Sequence, residues 1–215
     1  MTGQFVLIWT TFFILSDAIN WPASLDDPAF IALPRLVEHE GAVLAGYGAY
    51  LIGAVLLVPA AAALNASLGL KGGLAGAILA LATLSAMAKT VGITRWLFVM
   101  PELAHAYMEP GADRATIALL FDALNAYAGG VGEIVGVGLM SGAWTILIGA
   151  VLLSRPGGLA KAVGGFAILM GSTLFLNIPA GFGVDLGPVL TISNIGWQFA
   201  LLAVGLSRLA APKAR

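Results

Sequence analysis

Gly41-Ala42-Val43-Leu44-Ala45-Gly46-Tyr47-Gly48-Ala49-Tyr50-Leu51-Ile52-Gly53-Ala54-Val55-Leu56-Leu57-Val58-Pro59-Ala60-Ala61-Ala62-Ala63-Leu64 contains no charged side chain. The hydrocarbon core of a bilayer, about 30 Å thick, is crossed by roughly 20 helical residues rising about 1.5 Å each. This stretch meets that length, and comparable apolar runs occupy residues 5–21, 73–99, 131–153, 159–178 and 189–209. Turn formers separate them: Trp21-Pro22, Lys71-Gly72-Gly73, Pro110-Gly111, Arg155-Pro156-Gly157-Gly158 and Gly187-Pro188. The expected fold is all-α, a polytopic transmembrane helix bundle of about six spans, forming one integral membrane domain over residues 1–215.

Composition points the same way. Of the 215 residues, 60% are apolar and 10% charged, and the mean hydropathy is +0.97. A soluble domain has about 45–50% apolar and about 25% charged residues. So few charges cannot cover a soluble surface, whereas a bilayer asks for apolar side chains outside as well. The 28 glycines suit closely packed lipid-embedded helices, and the 5 tryptophans suit the headgroup layer. Cysteine is absent, which removes disulfides and thiolate chemistry. A net charge of −1 gives no support to a nucleic-acid partner. The first apolar run has no Lys or Arg before it and further spans follow, so it reads as a retained helix and not as a cleaved signal peptide.

Residues 115–154 are ambiguous, because a helix of about 40 residues would be about 60 Å long, twice the hydrocarbon thickness. The preferred reading has a separate helix over 113–127, lying at the interface or entering part way, with a bend at Ala128-Gly129-Gly130 before the fourth span. The alternative is one long tilted helix that projects from the membrane.

Charge asymmetry sets the expected orientation, since Lys and Arg near span ends are retained in the cytoplasm. With the amino terminus inside, the inner segments hold Lys71, Arg155, Lys161, Arg208, Lys213 and Arg215 and no acid. The outer segments hold Arg35 and Arg114 as cations, and Asp26, Asp27, Glu38, Glu40, Glu102, Glu109, Asp113 and Asp185 as acids. Both termini are therefore expected in the cytoplasm, with the chain in the cell (inner) membrane.

Leu51-Ile52-Gly53-Ala54-Val55-Leu56-Leu57 recurs letter for letter as Leu147-Ile148-Gly149-Ala150-Val151-Leu152-Leu153. Trp144 to Arg155 is likewise echoed by Trp197 to Arg208, each ending in Leu-Ser-Arg. The pattern suggests parallel helical-hairpin repeats, with the hairpin of spans two and three laid on that of spans four and five and Gly53 on Gly149. Chance identity among apolar helices, which use few letters, is the competing explanation.

Arg95-Trp96 with Pro101 and Leu103-Ala104 closes the third span, Gly132-Glu133 opens the fourth, and a helix pair ends the chain. In these features and in the arrangement of its spans, the chain resembles an uncharacterised bacterial multi-pass membrane family, domain of unknown function 4386. The resemblance covers nearly the whole chain and implies an all-helical membrane fold, with no reaction or binding residue to carry over.

A charge in hydrocarbon costs at least about 2.5–3.5 kcal/mol, so ionisable residues there face a partner or a watered cavity. Asp17, Lys89, Arg95, Asp122 and Glu133 qualify, at depths similar enough for one outward-facing polar cluster. Lys89 is expected to pair with an acid, Glu133 or Asp17. Asp122 and Glu133, eleven residues apart, return to nearly one helical face and share it with Gly129 and Gly136. Gly132-x-x-x-Gly136 on the adjoining face permits a close helix contact. The bland reading makes Lys89 and Arg95 snorkel outward and Glu133 serve a helix start.

His39, His105 and Glu109 are weak metal-site candidates in the outer segments, where an acidic solvated rim explains them equally well. No cofactor is called for: the histidines are misplaced for haem, and a lone membrane lysine does not establish a retinal site. No phosphate loop, nucleophile elbow or zinc-protease helix is present. Three classes remain. The chain handles a small solute or protons through the polar cluster, or it is an accessory or scaffold subunit using its glycine faces, Gly53, Gly129, Gly132, Gly136 and Gly149, or, least supported, it is an enzyme. Partners other than the lipid bilayer, whether further copies in a homo-oligomer or a larger membrane complex, are left open.

Overall fold

Helix is the one way an apolar segment can satisfy its own backbone in lipid without closing a barrel, and the computed structural model, which describes residues 1–209, is built of helices with no strand among them. They are α1 (Thr2–Ile19), α2 (Ala29–Glu38), α3 (Glu40–Ser67), α4 (Gly72–Met108), α5 (Arg114–Leu153), α6 (Gly158–Gly181) and α7 (Pro188–Leu209). All but α2 are long and apolar enough to cross a bilayer, which gives the expected six crossings of a multi-pass integral membrane protein. Lys213 and Arg215, part of the charge pattern, lie outside the described residues.

The crossing helices follow one another around the bundle, each packed on its neighbour in sequence. The last closes on the first through Phe199, whose ring lies 5.4 Å from that of Phe5 and 6.1 Å from that of Trp9. One end of the bundle carries Asp26, Asp27, Glu38, Glu40, Glu102, Glu109 and Asp113 and is called the acidic end; the other carries Lys71, Arg155, Lys161 and Arg208 and is called the basic end. At the basic end Arg155 and Arg208 reach the closing carbonyls of α3, donating to Leu68 O and Ser67 O. Cations there satisfy acceptors that a helix C-terminus leaves open.

The separate helix over 113–127 and the bend at 128–130 are not what forms. A single helix, α5, runs through all of 114–153, and Gly130 keeps ordinary right-handed dihedrals, φ −56° and ψ −44°. Two causes are visible. Phe121 is buried in a core with Leu33, Leu36, Met100 and Ala104, so α2 and the end of α4 support the early turns of α5. The low helix propensity of Gly129, Gly130, Gly132, Gly136 and Gly138 is absorbed by widening the helix over Val131–Ser141, where it takes the π form, instead of by breaking it. A shorter wide stretch, Arg95–Val99 in α4, precedes Pro101, which has no N–H to offer the preceding turn.

Glycines set the closest helix approaches. A Cβ on Gly149 would fall 2.7 Å from Gly164 O, and one on Gly142 would fall 3.0 Å from Gly171 O. These matched pairs let α5 and α6 touch backbone to backbone. On the opposite side of α5, Gly132 lies against Gly92 and Gly136 against Lys89 of α4, with Cβ approaches of 3.1 and 3.0 Å. Gly53 differs from Gly149. It faces α1, where Leu7 Cβ is 3.5 Å from its Cβ position and Gln4 Nε2 donates to its carbonyl at 3.1 Å. One glycine thus packs on the preceding helix and the other on the following helix. The shared heptapeptide therefore has no shared packing role at its glycine.

Two apolar cores are stacked along the bundle. The acidic-end core gathers Leu15, Leu33, Val43, Tyr47, Ile93, Trp96, Met100 and Phe121. The basic-end core gathers Leu57, Ile78, Ala82, Trp144, Ile148, Leu152, Leu174, Trp197 and Val204. On α4 the first begins at Ile93 and the second ends at Ala82; the residues between them include Ser85 and Lys89.

Candidate functional site

Ser85 and Lys89 are four residues apart, which places them on one face of α4. That face turns into the bundle, where Ser85 is fully buried and Lys89 is 5% exposed. Opposite them on α5 stand Gly136, Ser141 and Thr145, and α7 contributes Trp197. Lys89 Nζ donates to Ser141 Oγ at 2.8 Å. Ser141 Oγ and Ser85 Oγ are 2.8 Å apart, and Ser85 donates to Gly136 O at 2.8 Å. The single Ser85 proton is thereby committed, so Ser141 is the donor between the two hydroxyls. The direction is fixed: ammonium to Ser141, Ser141 to Ser85, Ser85 to a backbone carbonyl.

Trp197 provides the remaining wall. Its ring lies 4.3 Å from Lys89 Nζ, within cation–π range. The indole is held by Nε1 donating to Thr145 Oγ1 at 2.8 Å, and Thr145 donates in turn to Ser141 O at 2.7 Å. Gly136 makes room for this arrangement, because a Cβ there would fall 3.0 Å from both Lys89 Cγ and Lys89 N.

The pairing of Lys89 with Glu133 or Asp17 does not form. Among the described residues, Lys89 has no carboxylate within 4.0 Å. The five charges form no single cluster either. Six residues separate Lys89 from Arg95, about 240° of helical rotation at about 100° per residue, so the two cations leave α4 in different directions. Arg95 reaches toward Glu133, with 4.0 Å between Nη2 and Oε1. Asp17 and Asp122 are exposed and make no ion pair among the described residues. Asp122 and Glu133 do not share a buried stripe with glycine: Gly129, Gly132 and Gly136 are buried, and both acids are exposed.

Arg95 is itself 6% exposed. Its guanidinium lies over the surface that Gly129 leaves bare, where a Cβ would be 3.1 Å from Nη1, and 5.5 Å from the Trp96 ring. Trp96 stacks on Tyr47 at 5.4 Å with their planes 3° apart. The metal candidates stay apart: His105 Nε2 is 3.1 Å from Glu40 Oε2, His39 is 3.9 Å from its neighbour Glu38, and Glu109 follows the end of α4. No group of three or more His, Asp or Glu that could hold a metal ion occurs among the described residues.

Ser85, Ser141, Thr145, Trp197 and Tyr47 were not among the sequence candidates. A signal existed for three of them, since Ser85 with Lys89, and Ser141 with Thr145, are polar pairs at a spacing of four within apolar helices, which puts each pair on one face.

The chain belongs to the family described as domain of unknown function 4386, whose model matches residues 1–205. No curated protein and no solved structure matches it.

Proposed function

We propose that this integral membrane protein handles a small solute or protons, and that Lys89 with Ser141 and Ser85 is its working site. One observation carries the reading: a lysine lies buried between two apolar cores with its ammonium on a hydroxyl and an indole face and, among the described residues, no carboxylate within 4.0 Å. Ionisable residues at membrane depth mark solute and proton pathways by default. A purely structural bundle of this kind needs no charge, because its helices already meet through glycine. The hydroxyl chain supplies donors in series and ends on a carbonyl of the widened part of α5, a form of helix that is frequent at functional sites.

In this reading the basic end faces the cytoplasm of a bacterial cell and both termini are inside, by the retention of cations on that side. The acidic end then faces outward. The test is reconstitution into liposomes under a pH gradient or a solute gradient. Wild type produces a flux, and Lys89→Met and Ser141→Ala each abolish most of it while the helical signal and the melting midpoint stay within the range of a folded protein. A folded wild-type preparation that passes neither protons nor any solute of a broad panel refutes the proposal.

A scaffold role within a larger membrane complex is the second reading. The observation favouring it is the acidic end, where α2 and the extended ends of α4 and α5 build a core beyond what a bilayer crossing requires.

A further inference from the structure

Around Arg95 the acidic-end core contains hydrogen-bond donors with nothing to donate to. Nε and Nη1 of Arg95, the hydroxyl of Tyr47 and Nε1 of Trp96 are all buried with no acceptor among the described residues. Buried polar groups are paired in the great majority of cases, and an orphaned one calls for a specific explanation such as a water or an ion. One orphan has a simple explanation: a void of about 10 Å³ beside Trp96 also touches Ser24, whose hydroxyl lacks a partner too, and a single water there fits both. That leaves the guanidinium and the phenol. The Trp21 indole beside Tyr47 can only donate to its oxygen, so the phenolic proton still lacks an acceptor.

The surroundings state what the missing acceptor is. Arg95 is a permanent cation whose planar fork matches a carboxylate, and its charged or phenolic neighbours are Tyr47, Tyr50 and Glu133. Glu133, the chain's own carboxylate, stands at the rim with 55% of its side chain exposed and stops 4.0 Å from Nη2, too far to close a hydrogen bond. We infer that Arg95 and Tyr47 bind a small carboxylate anion, and that Glu133 at the rim competes with it. This deepens the proposed function by naming the solute class, and it rests on that reading for its role in transport but not for binding.

Acetate is the probe. The detergent-purified protein is titrated with sodium acetate replacing sodium chloride at constant ionic strength, and the tryptophan emission and melting midpoint are followed. The expected result is saturation by acetate. Tyr47→Phe, which removes a hydroxyl that donates no bond in the fold, weakens it about tenfold, the worth of one hydrogen bond to a charged group. Glu133→Gln removes the competing charge and tightens it about tenfold. No saturation by acetate, saturation by chloride alone, or equal affinity in all three proteins overturns the inference. Binding without flux in liposomes leaves this site standing and removes the transport reading; flux without acetate binding does the reverse.

Discussion

Lys89 Nζ and Ser141 Oγ, 2.8 Å apart, join α4 to α5 at the level where the two apolar cores meet. The bond links a charged donor to a neutral acceptor, and no carboxylate among the described residues completes it. That distinguishes it from a buried ion pair, in which removal of either member strands an opposite charge.

The two partners therefore differ when mutated. Lys89→Met removes the charge and leaves only hydroxyls that can bond each other, so the melting midpoint in detergent holds or rises. Ser141→Ala strands the ammonium and costs about 1–3 kcal/mol, the penalty for a buried donor left unmade. In the double mutant the serine loss disappears, which a double-mutant cycle reads as coupling. Additive effects would show that the bond contributes nothing.

Glycine positions with equal letters differ in consequence. Gly149→Ala puts a methyl group 2.7 Å from a backbone carbonyl that cannot step aside, and overpacking of this kind costs about 1–3 kcal/mol. Gly53→Ala places the same group at an ordinary 3.5 Å from Leu7 Cβ. It is neutral or gains a few tenths of a kcal/mol from the helix preference of alanine. Thermal unfolding of the two single mutants in one detergent compares them, and equal losses would contradict the packing described.

The crossings were legible because a bilayer imposes a length, and each apolar run either reaches that length or does not. The site was less so. Which side chains meet depends on helix rotation, and rotation counted at about 100° per residue fails where the helix widens. Arg95 begins one such stretch and Glu133 lies in the other; similar depth alone places five charges in one cluster, and depth does not fix the direction in which a side chain leaves its helix. The Gly132 and Gly136 contacts with α4 lie close to the register expected for them, because both glycines sit on one side of α5 within a single turn.

Asp113 offers a pH-dependent check at the acidic end. It caps the start of α5, accepting from Thr116 N at 3.1 Å and from Thr116 Oγ1 at 2.7 Å. The Thr116 hydroxyl, then its backbone N–H, hold the Asp113 carboxyl below its ordinary value. A carboxylate depressed in the folded state adds stability above its unfolded pKa, about 3.9, and loses it as pH falls through the lower folded value. Relative to its intrinsic exchange rate, the Thr116 amide is accordingly more protected at neutral pH than in acid, and Asp113→Ala removes the difference. An amide that exchanges at the same protection in both proteins at neutral pH would show that the cap does not form in solution.

The proposed orientation rests on the charges at the two ends of the bundle. Lys71, Arg155, Lys161 and Arg208 lie together at one end, and two of these, Arg155 and Arg208, are engaged with the closing carbonyls of α3. Moving that end across a membrane would transfer all four cations, while the acidic end contains Arg35 and Arg114 among many carboxylates. Arg35 is already neutralised by Asp27, at 2.6 Å. The effective cation count is more lopsided than the sequence alone suggests, and cations near span ends are what the insertion machinery retains. Reporter fusions after Lys71, after Arg155 and at the carboxyl terminus are expected to report the cytoplasm, and one placed after Glu109 the opposite side. Agreement of the first three with each other, but on the outside, would invert the bundle and put Arg95 and its proposed anion site on the cytoplasmic face. Disagreement among them would remove one crossing.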